Sequence, residues 1–412
     1  MKNIIVLDTG KEWGGGTNSL LELLRRIDKK NYKFTVLLYH NYSKSSESDI
    51  KTEIEKLGID FLLLERKSQS LTAKIFKELG RLVFFFNRNL RTLWIFGIDY
   101  FLRIKKDADR ITRLLKELHI DLLYMNNQPS TNLEGIIAAK KGGIKSLLHS
   151  RIEADLNLFE IKAVNKWLTK MICVSEGVKG SFVRQGINSS KCVVVHNGID
   201  TAMAPAVFRE KIRQESGVKN DELLIGTVGS LVKRKRFNDL IKVIAYISSQ
   251  FTAFDPSSVR GFHSSQIKCI IVGDGPEREF LQKEIYKYKL NNKVILTGFK
   301  SDAISYINAM DIFVLPSERE GFPRVILEAM LMGKPVIASR IAGPAELVID
   351  KETGFLFQTG NIEELADCIS TLLLTPQLRG EMGKTGRKRV IENFSIEEYV
   401  NQVSTVLAEV IG

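Results

Sequence analysis

Residues 317–339 read SEREGFPRVILEAMLMGKPVIAS, and the punctuation of this stretch decides the fold. Two carboxylates, Glu320 and Glu328, are separated by seven residues, with a helix start between them. Upstream, Ile312, Phe313, Val314 and Leu315 form a short apolar run ending at Pro316, the pattern of a buried strand. Pro323 stands where a helix's first position is expected, and Gly333 where its C′ stop is expected. A second apolar run opens at Pro335 and continues to Ala338. Strand, loop, helix and strand in this order predict a βαβ unit of a parallel sheet. Ligands of such sheets bind beyond the carboxyl ends of the strands, which places Glu320 and the helix N-terminus at a crevice. The unbonded N–H groups around Phe322, Arg324 and Val325 would face an anion there. Glu328 lies about a turn and a half into the helix, too far along to cap it. On spacing alone, a loop charge at Glu320 and a solvated helix position at Glu328 explain the pattern equally well.

The 412 residues are enough for two domains, each with its own core. With 44% hydrophobic and 26% charged residues, the composition is that of an ordinary soluble globular protein. Met1-Lys2-Asn3 leads straight into a strand, so no signal peptide is expected. No apolar run approaches the roughly 20 residues of a membrane span. Cys173, Cys192, Cys269 and Cys368 are scattered without a CxxC pair, which suits reduced thiols and a cytoplasmic setting. The five histidines show no metal-ligand spacing. A net charge of +12 invites a nucleic-acid reading, yet no RNP motif, zinc finger or basic helix-turn-helix pattern is present. Anionic nucleotides and anionic lipid surfaces are the remaining explanations.

Strands alternate with helices along the chain. In the first half, strands are predicted at 4–7, 34–39, 122–125, 146–149, 170–174 and 192–195. Gly14-Gly15-Gly16 reads as a loop ahead of a helix over 19–27 with apolar Leu20, Leu23, Leu24 and Ile27. A turn cluster, His196-Asn197-Gly198-Ile199-Asp200, separates these from a fresh series at 223–228, 269–272, 294–297, 312–315 and 336–338. The expected architecture is α/β: domains at 1–197 and 198–390, then a C-terminal helix over 391–412 packing back towards the first domain. Residues 251–266 read as a loop insertion.

These motifs together resemble glycosyltransferase family 4, retaining enzymes of the GT-B architecture, in which two Rossmann-like doubly wound sheets face a cleft. The resemblance covers nearly the whole chain and is strongest over 226–347. Its signature is Glu320, seven residues, Glu328; Asn197-Gly198-Ile199-Asp200 resembles the domain junction. Gly273-Asp274-Gly275-Pro276 and Ala342-Gly343-Pro344-Ala345-Glu346 match recurring loops of the second domain. Each motif alone is weak, and their order and spacing make the match specific.

The resemblance implies a nucleoside-diphosphate sugar, UDP- or GDP-linked, as donor and a glycan or lipid-linked acceptor, with no cofactor and no metal. The catalytic group would be Glu320, His149, Arg234 and Lys235. Substrate contacts would come from Gly15 and Gly16, from Gly229, Ser230, Gly275 and Phe299, and from Gly321, Phe322, Pro323, Arg324, Val325 and Glu328. Many members carry arginine where this chain has Ser230, which leaves Arg234 and Lys235 to neutralise the leaving diphosphate. Outside this family, Lys233-Arg234-Lys235-Arg236 is an ordinary solvated loop, and a strand-end histidine such as His149 is more often structural. Gly14-Gly15-Gly16 is not GxGxxG, which disfavours a dinucleotide-binding dehydrogenase.

Asp107-Ala108-Asp109 is a DxD, a metal-binding pattern of a different glycosyltransferase fold. It lies within a helical repeat of Ile104, Ile111, Leu114, Leu115 and Leu118, so both carboxylates are expected to point into water. Residues 81–106, RLVFFFNRNLRTLWIFGIDYFLRIKK, set Phe84, Phe85, Phe86, Trp94, Phe96, Tyr100 and Phe101 among Arg88, Arg91 and Arg103. This suits a helix or helical hairpin in an anionic membrane interface, on the inner face of the cell membrane. A core helix with snorkelling arginines is the competing explanation. Two other classes fit the architecture: a nucleotide-sugar 2-epimerase and a non-catalytic nucleotide-sugar binder. Nucleic acid is not an expected partner.

Overall fold

A computed structural model describes residues 1–11, 13–45, 48–66, 71–252 and 266–412. The chain divides into two compact units. The first comprises Met1–Val174, Lys179–Val195 and Val400–Gly412; the second comprises Ser175–Val178 and His196–Tyr399. Most of the insertion expected at 251–266 lies outside the described residues.

The first unit is built on strands β1 (Lys2–Asp8), β2 (Tyr32–Leu38), β5 (Asp60–Leu63), β6 (Leu122–Asn126), β7 (Lys145–Ser150), β8 (Lys170–Cys173) and β9 (Cys192–Val194). A small antiparallel ribbon pairs β3 (Ser43–Ser45) with β4 (Ser48–Asp49). The main sheet is parallel, in the order β5-β2-β1-β6-β7-β8-β9, so strand order reverses between β1 and β6. Ile4, Ile5, Leu7, Leu122 and Leu123 are fully buried. Near-continuous apolar strands of this kind are what a sheet covered on both faces requires.

The second unit repeats the plan with β10 (Leu223–Val228), β11 (Ile267–Val272), β12 (Val294–Gly298), β13 (Ile312–Leu315), β14 (Val336–Ser339) and β15 (Gly354–Phe357). Its order is β12-β11-β10-β13-β14-β15, and the reversal falls between β10 and β13. Its core joins Ile225, Ile244, Ile271, Val314, Ile337 and Ile369. Besides the ribbon, the strands absent from the expected set are β5 and β15, both sheet edges of four residues.

Two local expectations are corrected and a third, the C-terminal helix, is placed more closely. The first helix spans Gly15–Arg26, so Gly15 and Gly16 are helical and only Gly14, the extended N-cap, lies outside. Asp107 is buried and pairs with Arg66 (Nε to Oδ2, 2.9 Å), whereas Asp109 is exposed and meets Lys141. Arg66 also pairs with Glu134, whose Oε1 accepts from the Tyr39 hydroxyl at 2.9 Å. Buried carboxylates persist only when paired in this way. The C-terminal region forms two helices, Pro376–Asn393 and Ile396–Ile411, broken at Phe394-Ser395. Within the first unit, Lys170 pairs with Glu409 at 3.1 Å and Lys145 Nζ donates to the Ile411 carbonyl at 3.2 Å.

The helical hairpin read at 81–106 begins earlier, at Leu71. Helices Leu71–Val83 and Arg88–Asp99 are joined by a turn at 84–87, and the second runs through a π-helical turn, Tyr100–Ile104, into Lys105–Glu117. No helix among the described residues is long and apolar enough to cross a membrane.

Candidate functional site

The reversal between β10 and β13 opens a crevice at their carboxyl ends, where a doubly wound sheet binds its ligand. Gly229 and Ser230 follow β10, and Ser317 to Gly321 follow β13. A short 3-10 turn, Lys233–Lys235, divides the basic run into separate tasks. Lys235 is buried, and its Nζ donates to Glu320 Oε1 at 2.5 Å. Arg234 stays exposed, with Nη1 3.2 Å from the Arg319 carbonyl oxygen and 3.8 Å from Glu320 Oε2. Arg236 turns away to bond Asp239 at 2.7 Å, and Lys233 is exposed. A side chain at Gly229 would start 3.6 Å from Lys235 Cε, so glycine leaves the strand end open beside the ammonium group.

Glu328 stands on the helix Arg324–Leu331. Burial raises its carboxyl pKa, with the Arg324 charge pulling the other way. Among the described residues, no hydrogen-bond donor contacts this side chain. A half-buried acceptor with both oxygens uncommitted is chemically fitted to a donor-rich ligand such as a vicinal diol.

The loop between the two glutamates is held by the other motifs. Asn197 Nδ2 donates to the Phe322 carbonyl at 3.0 Å, and Arg324 Nη1 donates to the Gly198 carbonyl at 3.1 Å. Glu346 accepts from the Glu176 and Gly177 N–H groups and pairs with His196 Nε2 at 3.0 Å. Burial raises the Glu346 pKa, but these bonds outweigh it and hold the carboxyl below its ordinary value. Gly343, at φ 78°, packs against Gly321, and a Cβ there would lie 2.2 Å from the Gly321 carbonyl oxygen. Gly343→Ala should therefore displace the signature loop and weaken nucleotide binding at least tenfold, measured by titration calorimetry. Unchanged affinity would show that this packing is dispensable.

The side chains of several residues expected at the substrate pack within the scaffold. The Phe322 ring is buried, stacked on His196 at 4.6 Å and tilted against Phe394 at 5.5 Å, so only its backbone faces the loop. The Arg324 side chain is buried against Gly198, leaving its N–H and that of Val325 as the contribution of the helix start. Pro323 is the N-cap (ψ 111°), one position earlier than expected. Gly275, at φ 156°, lies against the Leu231 carbonyl, and Leu231 N–H donates to the Asp274 carbonyl at 2.9 Å. This brings the glycine turn under the strand end occupied by Ser230. Phe299 follows β12 and is half exposed.

The first unit's reversal holds a polar cluster that sequence reasoning missed. Asp8, closing β1, is buried and accepts from Asn126 Nδ2 at 2.5 Å and Asn127 Nδ2 at 2.7 Å. Arg151 Nε donates to Asn126 Oδ1 at 2.7 Å. Burial pushes the Asp8 carboxyl above its ordinary pKa against the pull of Asn126, Thr9 and Arg151. Asn127 sits at φ 97°, an unusual conformation for a residue with a side chain. Gly16 belongs here: its Cβ would lie 3.4 Å from Arg151 Cγ and 3.9 Å from Asn127 Oδ1, so its usefulness is close approach rather than φ freedom. A Cβ on Gly15 would meet open space. His149 is fully buried near the end of β7, 2.5 Å from the Tyr124 hydroxyl through Nδ1. Burial, then the Arg151 charge, holds its pKa well below the ordinary value, so the ring is neutral at pH 7. The available signal was positional: apolar strands β1, β6 and β7 all end in polar side chains on either side of the reversal.

A model described as Glycosyltransferase Family 4 matches residues 13–203, and one described as Glycosyl transferases group 1 matches 208–389. The chain is 26% identical over 359 residues to an Escherichia coli UDP-Gal:alpha-D-GlcNAc-diphosphoundecaprenol alpha-1,3-galactosyltransferase, spanning 82% of this chain and 88% of that protein. It is 29% identical over 251 residues to the Staphylococcus aureus capsular polysaccharide biosynthesis glycosyltransferase CapM, spanning 58% of this chain and 63% of that one. The solved structure of Anabaena HepE in complex with UDP-glucose aligns with a TM-score of 0.76 at 23% identity, covering 99% of this chain and 100% of that one. The paired parallel sheets and this likeness make the fold GT-B. Matched almost from end to end by the two models, the chain belongs to the family 4-type glycosyltransferases.

Proposed function

We propose that the protein is a retaining glycosyltransferase that moves a hexose-type sugar from a nucleoside-diphosphate sugar to a lipid-linked glycan in cell-surface polysaccharide synthesis. The observation that carries this reading is the constellation at the β10/β13 reversal: Lys235 locked to Glu320, Arg234 beside them, and an uncommitted Glu328. In this reading the Glu328 oxygens accept from the ribose hydroxyls, and Phe299 offers an aromatic face to the base. Arg234, Lys235 and the N–H groups of Arg324 and Val325 meet the diphosphate as the anomeric C–O bond breaks and negative charge grows on it. Glu320 orients Lys235 and directs its other oxygen to the donor sugar. The leaving phosphate takes the acceptor's proton, and attack from the same face retains the anomeric configuration. The crevice with Gly16, Asp8, Asn126 and Arg151 receives the acceptor, with His149 as a neutral neighbour oriented by Tyr124.

A UDP donor is supported by the E. coli relative, whose name specifies UDP-Gal, and by the UDP-glucose complex of HepE. The diphosphoundecaprenol in that relative's name supports a lipid-linked acceptor, and we place its use on the cytoplasmic face of an anionic membrane.

The basic groups and helix start take the place of a divalent ion in this mechanism. Transfer is therefore expected to continue in excess EDTA. Loss of activity in EDTA, restored by magnesium or manganese, would reject the mechanism. Thermal shift against UDP- and GDP-sugars should raise the melting temperature for one nucleotide class, because ligand binding to the native state stabilises it. No shift with any nucleotide sugar would overturn the assignment.

A further inference from the structure

We infer that residues 71–106 form a two-helix wedge whose phenylalanine tip inserts into an anionic bilayer, with Trp94 pinning its two helices together. This deepens the proposed membrane setting, but it rests on the hairpin's own construction.

The two helices are fastened to each other on one side. Gly80 is buried directly beneath Trp94; a Cβ at Gly80 would overlap the indole, 2.0 Å from Cδ1. The indole Nε1 donates to the Phe76 carbonyl at 2.9 Å, and Phe84 packs on the ring at 5.8 Å. Lys77 Nζ joins Asp99 at 2.6 Å across the pair. The base of the second helix is seated in the first unit by aromatic contacts of Phe96 and Tyr100 with Phe159, at 5.6 and 5.3 Å. A hairpin built this way presents its outer side and tip as a fixed surface.

That surface is apolar where a soluble protein would be polar. Leu71 is 78% exposed, Leu82 72%, Phe85 77%, Phe86 69% and Leu93 58%. Phe85 and Phe86 stand at the turn, edge to face at 5.7 Å, and the Asn87 side chain accepts from Leu90 N–H to restart the helix behind them. Exposed apolar area on this scale marks an interaction surface.

Charge selects the occupant. Residues 71–106 contain eight lysines and arginines against Glu78 and Asp99. Both acids are already engaged, Glu78 by Arg81 and Asp99 by Lys77. A second copy of this chain would bring an equally basic face against it, whereas an anionic headgroup layer complements both the charge and the apolar tip. The wedge therefore begins ten residues before the aromatic run read from sequence, and part of its grip comes from the helix Leu71–Val83.

The experiment is flotation of the full chain with vesicles of phosphatidylcholine and phosphatidylglycerol at 7:3, and with pure phosphatidylcholine. Wild type should float with the anionic vesicles and at least tenfold more weakly with the neutral ones. Phe85→Ser with Phe86→Ser should weaken anionic binding at least tenfold with an unchanged melting temperature, since both rings lie in solvent. Gly80→Leu, which expels Trp94, should also weaken it by disordering the wedge. Absence of wild-type binding, or a floating Phe85→Ser/Phe86→Ser variant, overturns the inference. So does a wild-type dimer that this variant converts to monomer without vesicle binding. UDP titration of the same samples tests the transferase reading separately, because the wedge and nucleotide binding can fail independently.

Discussion

Replacing Arg234 and Lys235 together by alanine is expected to lower turnover by about 10²–10⁴-fold. Charge-assisted hydrogen bonds are worth about 1.5–3 kcal/mol each, and two would be lost where negative charge grows. The two residues should differ when changed singly. Arg234 is exposed, with a 3.8 Å approach to Glu320, so Arg234→Ala should leave the melting temperature unchanged while lowering kcat. Lys235 is buried at 2.5 Å from Glu320, and its loss strands a carboxylate that is only 8% exposed. Breaking a buried pair from one side costs about 3–5 kcal/mol, so Lys235→Ala should melt well below wild type. Adding Glu320→Gln should recover much of that stability without recovering activity, which a double-mutant cycle would resolve. Near-normal turnover in the folded Arg234→Ala/Lys235→Ala variant would remove this pair from the mechanism.

The two signature glutamates should separate in the same manner. Glu328→Gln is expected to weaken UDP binding about ten- to a hundredfold, the effect of about 1.5–3 kcal/mol from hydrogen bonds to a charged acceptor. Glu320→Gln should act mainly on kcat, since in the proposed mechanism its partner Lys235 works on the leaving group. The environment of Glu328 adds a pH signature. Burial raises its pKa, so its protonation begins at a higher pH than for an exposed glutamate. UDP affinity should be full above that pKa and decline as pH falls through it, and Glu328→Gln should abolish that part of the decline. Equal UDP affinity for wild type and Glu328→Gln would reject the ribose contact.

The architecture was legible because β10, β13 and the helix after Pro323 are written in apolar runs bounded by proline and glycine. The edge strands β5 and β15 were not; they open on Asp60 and Gly354 rather than on an apolar residue. Spacing marked Glu320 and Glu328 but could not show that Lys235 is the buried partner and Arg234 the exposed one. Sequence placed the N–H groups around Phe322 and Arg324 at the crevice but could not show that tertiary packing commits one ring to His196 and one guanidinium to the Gly198 carbonyl. Asp107 followed the helical period but met Arg66, a residue 41 positions away. Asp8, Asn126 and Arg151 were invisible for the same reason, since only the parallel register of β1, β6 and β7 brings these strand ends together.

The anomeric outcome of turnover tests the central claim most directly. Wild type would be incubated with α-linked UDP-sugars and a synthetic lipid-diphosphate-linked N-acetylglucosamine, and the anomeric proton followed by NMR. The expected result is a new α-glycoside on the acceptor, formed with stoichiometric release of UDP and lost in Arg234→Ala/Lys235→Ala. A β-glycoside would contradict retention, and free sugar or a 2-epimer formed in place of a glycoside would contradict glycosyl transfer itself.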